Sequence, residues 1–106
     1  MDVLIAKETL EGLVRVGATD EEERAYAYYC VFNESPNSGE EAPLKLTAEA
    51  RFYNRYFWFG VLAKLRRRKS GYDAGMEQQH FQMLETAPPG VDLNIVEALD
   101  VAIAQE

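Results

Sequence analysis

The segment from Thr47 to Ser70 sets the terms for any fold of this chain. It holds six of the twelve aromatic residues and seven of the eleven basic ones. Its middle, Arg51-Phe52-Tyr53-Asn54-Arg55-Tyr56-Phe57-Trp58-Phe59-Gly60-Val61-Leu62-Ala63, is apolar on nearly every side when wound as a helix, and its end carries Lys64, Arg66, Arg67, Arg68 and Lys69. A helix that is apolar all round has to be covered by other elements. Thr47 stands where an N-cap belongs and Ser70-Gly71 where a helix stops, so the spacing predicts one central helix over 47–69.

The flanks read as shorter helices. Val3, Ala6, Leu10, Leu13 and Val14 form one stripe over residues 2 to 16, with Gly17 at the position of a C-terminal cap. Thr19-Asp20-Glu21-Glu22 has the form of a capping box, with extra carboxylates at the positive end of the helix dipole, and starts a second helix at Asp20. Ala25, Tyr28, Tyr29 and Phe32 share a face of that helix, yet Tyr26 to Phe32 also has the aromatic and β-branched richness of a strand. Asn33 to Leu46, with Pro36, Gly39 and Pro43, reads as a polar, mobile loop. A fourth helix fits Asp73 to Glu85, with Met76, His80, Met83 and Leu84 on one side, and Ala87-Pro88-Pro89-Gly90 breaks it. In the last, Asp92 is the cap, Val91 staples onto Val96, and Val96, Leu99 and Ile103 repeat at helical spacing.

The expected fold is therefore all-α: a compact bundle of about five helices around the aromatic-rich one, in a single globular domain over 1–106. With 106 residues and 47% apolar content the chain is long enough to bury one core without disulfide or metal staples. The alternative is an α+β arrangement in which a hairpin within residues 10–32 pairs Leu10 to Val16 with Ala25 to Phe32. The longest apolar run, Tyr56 to Ala63, is far short of a bilayer span, and the first residues lack the basic start and apolar stretch of a secretion signal. A lone Cys30 suits a reducing compartment, and the expected location is cytoplasmic with no membrane partner.

Charge is segregated along the chain. Residues 1–46 carry four basic and ten acidic groups, 47–71 seven and one, and 72–106 none and seven, which gives the net charge of −7. Either the acidic helices surround and neutralise the basic one, or the cationic cluster stays exposed on a molecule whose field repels nucleic acid and anionic membrane.

Material for catalysis is sparse: one cysteine, one histidine, and three serines, Ser35, Ser38 and Ser70, all in predicted loops. Cys30 sits in an aromatic run, where a small buried hydrophobe is the ordinary role. Glu77-Gln78-Gln79-His80 has the Glu-x-x-His spacing of carboxylate-bridged di-metal bundles, and Asp73 extends that face, but one copy needs a symmetric dimer to complete such a site. No glycine spacing fits a phosphate loop. No cofactor, metal or catalytic residue is expected, and the chain reads as non-enzymatic.

Two binding readings remain. Laid on a wheel at about 100° per residue, Phe52, Tyr56, Phe59 and Ala63, continuing through Tyr53, Phe57 and Val61, form the expected core side of the central helix. Opposite them Trp58, Leu62 and Leu65 fall among Arg51, Arg55, Arg66 and Lys69, a mixture typical of protein-interaction hot spots. The favoured expectation is an acidic protein-interaction module, an adaptor, inhibitor or assembly subunit. It would bind another protein or a second copy of itself through Arg55, Trp58, Leu62 and Arg66 or through its acidic flanks. The competing roles for Trp58 are a helix covered on both sides and a cation-π contact under an arginine. The alternative function is a nucleic-acid-associated protein in which Lys64, Arg66, Arg67, Arg68 and Lys69 meet successive phosphates.

Overall fold

The computed structural model describes residues 3–14, 20–33, 46–71 and 75–106. Among these, five α-helices form: α1 (Lys7–Leu13), α2 (Glu21–Asn33), α3 (Ala48–Ser70), α4 (Met76–Gln82) and α5 (Leu93–Gln105), with a 3-10 turn over Met83–Thr86 and no strand. The all-α expectation holds, and the hairpin alternative does not. Tyr26 to Phe32 lie in the second half of α2, where Tyr28 and Phe32 point into the core one helical turn apart.

Local chemistry sets the ends of α3. Thr47 Oγ1 accepts a hydrogen bond from Ala50 N at 3.1 Å, and Gly71 closes the helix at φ +73°, its N–H donating to Arg67 O. That left-handed backbone suits glycine because a Cβ there meets the neighbouring carbonyl. Asp92 caps α5 as the sequence predicts, its Oδ1 accepting from Asn94 N at 2.8 Å, while the Tyr53 hydroxyl accepts from Asp92 N at 2.7 Å and ties that cap to α3.

Three boundaries differ from the sequence reading. Gly17 and Thr19 lie outside the described residues, and Asp20 itself caps α2, its Oδ1 accepting from Glu23 N at 2.8 Å. Glu22, expected to reach back to the cap, accepts from Arg66 Nε instead. In α1 the helix is shorter than 2–16, with Leu10 fully buried and Leu13 on the surface. The fourth helix begins at Met76 after Gly75, which has φ +89°, the predicted start at Asp73 lying outside the described residues, and it tightens into the 3-10 turn at Met83.

The core is α3 with its neighbours. Phe52, Tyr56, Trp58, Leu62 and Val61 are buried together with Leu10 from α1, Tyr28 and Phe32 from α2, and Val96, Leu99 and Ile103 from α5. Each such side chain taken out of water contributes about 1.5–3 kcal/mol. α2 lies along one flank of α3, the Tyr28 ring meeting Trp58 edge-on at 4.8 Å and Tyr29 tilting against Phe59 at 5.4 Å. α4 and α5 cover another.

A polar residue pins the start of the chain. Asn54, buried within α3, accepts from Ile5 N at 2.8 Å and donates through Nδ2 to Val3 O at 2.8 Å and Ala50 O at 2.7 Å. Every polar valence it uses has a partner, which is the condition for burying an amide without penalty.

Candidate functional site

Gly60, midway along α3, has no side chain, and two other helices use the space. A Cβ built there would stand 2.5 Å from Ile103 Cδ1 on α5 and 2.9 Å from His80 Nε2 on α4. The His80 ring consequently lies flat on Tyr56, with centroids 3.9 Å apart, and its Nε2 is 3.0 Å from Tyr56 O. A carbonyl only accepts, so Nε2 carries the proton. Burial is the largest influence on this imidazole and holds its pKa below the ordinary histidine value. The bond to Tyr56 O and the charges of Asp100 and Glu77 pull the other way. The ring is therefore neutral at pH 7, with the lone pair on Nδ1.

The Tyr56 hydroxyl donates to Asp100 Oδ1 at 2.7 Å. Burial, then that bond, push its pKa far above the usual phenol range, so it stays a donor. Above this stack a cleft of about 470 Å³ opens between α3, α4 and α5, walled by Gly60, Ala63, Lys64, Arg67, Glu77, His80, Phe81, Asp100, Ile103 and Ala104. Phe81 is 54% exposed and also lines a second cleft with Gly75, Glu77, Gln78, Gln82 and Glu85. Among the described residues no serine or cysteine lines either cleft. What they offer is an aromatic ring with carboxylates beside it and, in the first cleft, Lys64 and Arg67.

The Glu77 and His80 pair does not converge on a common point. His80 Nε2 is committed to Tyr56 O, and Glu77 Oε2 accepts from Arg67 at 2.8 Å. Asp73 lies outside the described residues, among which no cluster of three or more metal-capable side chains forms. Cys30 is half-buried on α2.

The basic end of α3 is tied to the acidic elements around it. Arg66 Nε donates to Glu22 Oε1 at 2.8 Å and Lys69 Nζ to Glu22 Oε2 at 3.2 Å, with Asp20 3.6 Å from the same ammonium. The Arg66 bond, followed by that of Lys69, holds the Glu22 carboxyl below the ordinary range. Arg67 pairs with Glu77, Arg68 donates to Glu106 O at 3.2 Å, and Lys64 donates to Ile103 O at 3.0 Å and to Ala104 O, capping α5. All five residues of the proposed phosphate-contacting row thus have partners within the chain, as in the first of the two charge arrangements.

The proposed interaction face is not a surface. Trp58 is 3% and Leu62 2% exposed, and both belong to the core, which corrects the expectation that they form an outward stripe. Arg55 is half-buried, its guanidinium 5.8 Å from the Phe52 ring, and Arg66 lies 5.9 Å from the ring of Tyr26. The four residues are not brought together on an open face. The cation-π expectation for Trp58 is met by a lysine instead: Lys7 Nζ lies 6.0 Å from the indole centroid.

Trp58 also carries an anomaly: its Nε1 is buried with no acceptor among the described residues. Such an orphaned donor costs about 1–3 kcal/mol. The indole forms part of the wall of a small cavity of about 110 Å³ between α1, α2 and α3.

Phe81 was absent from the expected sites. Its only sequence signal was its position one residue after His80, off the Met76, His80, Met83 and Leu84 face of the predicted helix. Neither a protein-family model, nor a curated protein, nor a solved structure matches this chain.

Proposed function

We propose that the chain is a non-enzymatic protein-interaction module that engages a second protein through the α4 side of its acidic flank, with Phe81 as the anchoring ring. The observation that carries this reading is the 54% exposure of Phe81 on a helix whose neighbouring ring, His80, is buried. Large aromatics on a surface between clefts are the side chains that contribute most when a partner removes them from water. Lys64 and Arg67 share the first cleft with Glu77 and Asp100, whereas the second, beside Phe81, is lined by Glu77 and Glu85 and, among the described residues, by no cation, so the complementary partner segment is apolar with a basic residue facing Glu85. The interaction role thus rests on the acidic flank rather than on Trp58 and Leu62. The histidine has a structural task, which also favours binding over catalysis.

Nucleic-acid association has less support. Phosphate contact by Lys64, Arg66, Arg67, Arg68 or Lys69 would exchange existing partners rather than fill vacant ones, on a molecule of net charge −7.

The test compares wild type with Phe81→Ala in sedimentation equilibrium and in cross-linking with partner identification by mass spectrometry. The expected result is an unchanged melting temperature and an association weakened by roughly 2 kcal/mol or more. Associations that survive the substitution at full strength overturn the assignment of Phe81.

A further inference from the structure

α4 is a seven-residue helix with one buried side chain, His80. Glu77, Gln78, Gln79, Phe81 and Gln82 are exposed, and Met76 and Met83 are half-buried at either end. A helix this short does not hold its turns in water unaided, so it depends on what seats it. Gly75, at φ +89°, precedes it without a side-chain cap. The ion pair of Glu77 with Arg67 joins side chains 58% and 50% exposed, and such pairs hold weakly. The imidazole is a firmer tie. It fills the notch left by Gly60, lies 3.9 Å from the Tyr56 ring and donates from Nε2 to Tyr56 O. That seat suits the neutral ring. Nδ1 has no hydrogen-bond partner among the described residues, and a second N–H there would belong to a buried ring with no acceptor placed for it.

The groups around the ring pull in opposite directions. Asp100 on α5, Glu77 on α4 itself and Tyr56 O on α3 favour the imidazolium, while Lys64 and Arg67 of α3 border the same cleft and the Tyr56 phenol stays neutral. Burial outweighs the three favourable groups and holds the imidazole pKa below the ordinary 6.5. The ring forms part of the wall of the cleft between α3, α4 and α5, which gives a proton from solvent its route. We propose that His80 is a proton-operated latch: neutral, it seats α4 against Gly60, and once protonated at Nδ1 it leaves the notch, so that α4 alone comes away from the bundle. α5 stays in place, because its ties to α3 do not pass through α4. They are the bond of the Tyr56 hydroxyl to Asp100 at 2.7 Å, that of Lys64 to Ile103 O at 3.0 Å, and the burial of Val96, Leu99 and Ile103. Phe81, next in the chain and 5.8 Å ring to ring from His80, leaves with it. Loss of a partner held by Phe81 in mild acid rests on the interaction role, whereas the latch itself does not.

The test is native-state hydrogen exchange on the isotope-labelled full chain at about pH 7.5 and about pH 5, corrected for intrinsic rates and repeated in low urea. The amides of Gln79 and Met83, which donate to Gly75 O and Gln79 O, report on α4, and that of Leu99 reports on α5. The α4 amides are expected to be less protected than Leu99 and to respond little to urea, because a local opening exposes little surface. Their protection is expected to fall by roughly tenfold or more between the two pH values. In His80→Gln that fall is absent. α4 amides that match Leu99 in protection and in urea dependence overturn the proposal, since they then open only with the whole chain. So does unchanged α4 protection in the wild type, or an equal fall in His80→Gln. If that variant does not fold, the single histidine is titrated in the wild type through its ring Cε1 proton. Titration at or above the ordinary value overturns the latch, and titration below it, together with the acid loss of α4 protection, supports it.

Discussion

Gly60 and His80 are in such close approach that the imidazole occupies the volume a methyl group on Gly60 would claim, 2.9 Å from its Nε2. Two opposing effects meet in Gly60→Ala. Alanine in a helix interior gains about 1 kcal/mol over glycine, while overpacking a closed site costs about 1–3 kcal/mol. Ile103 Cδ1 is the end of a flexible side chain and can turn away, but the His80 ring is held by its stack on Tyr56. The second effect therefore wins, and Gly60→Ala is expected to lose on the order of 1 kcal/mol in urea denaturation. A stabilised variant refutes the packing argument.

His80 makes stability depend on pH. Its folded pKa lies below the ordinary value of 6.5 because burial disfavours the imidazolium, so the unfolded chain takes up the proton first. The contribution is fully present above about pH 6.5 and is lost as pH falls from there towards the folded pKa. Asp20 and Glu22 have lowered pKa values through the Glu23 amide and Arg66 respectively. Their stabilisation is present above the ordinary carboxylate range and disappears in a second, more acidic window. His80→Gln keeps a donor for Tyr56 O but does not titrate. The melting temperature of that variant is expected to be flat across the first window and to fall in the second. A wild-type slope near neutrality in His80→Gln removes the histidine from the explanation.

Trp58 behaves as a core residue. Trp58→Ala is expected to lower stability by about 3–5 kcal/mol, read by equilibrium unfolding with far-ultraviolet circular dichroism. An unchanged midpoint contradicts its packing against Tyr28 and Phe57.

Asn54→Ala removes three hydrogen bonds and frees the segment before α1. A loss of roughly 2–3 kcal/mol is expected, with the Ile5 amide exchanging its hydrogen much faster while amides near Leu99 keep their relative protection. Uniform acceleration across the chain argues that Asn54 stabilises the whole bundle instead of its entrance.

Both ends of α3 and the start of α5 were legible in the sequence because Thr47, Gly71 and Asp92 act on backbone groups within a turn of themselves, and local chemistry needs no knowledge of the rest of the fold. Which side of α3 faces water was not legible. The wheel places Trp58 and Leu62 among arginines, but a long side chain carries its charge several ångströms from its Cα, and Arg66 delivers its guanidinium to Glu22 rather than keeping the stripe wet. Asn54 escaped notice for a related reason: a polar letter in a helix reads as surface unless the groups it will bind are known, and Val3 and Ile5 are about fifty residues away in sequence. The aromatic run in α2 suggested a strand because composition alone does not record period. Tyr28 and Phe32 follow the helical one.

The partners of the basic row also fix how α3 is turned. Successive residues project about 100° apart around a helix, and here Arg66 goes to α2, Arg67 to α4, and Arg68 to the carbonyl that follows α5. Three adjacent letters thus act like the teeth of a key, each meeting a different ward. Rotating α3 by one residue would send every guanidinium to the wrong neighbour, just as it would carry Gly60 away from His80 and Asn54 away from Val3 and Ile5. The charged end and the buried middle of this helix thus select one and the same angle.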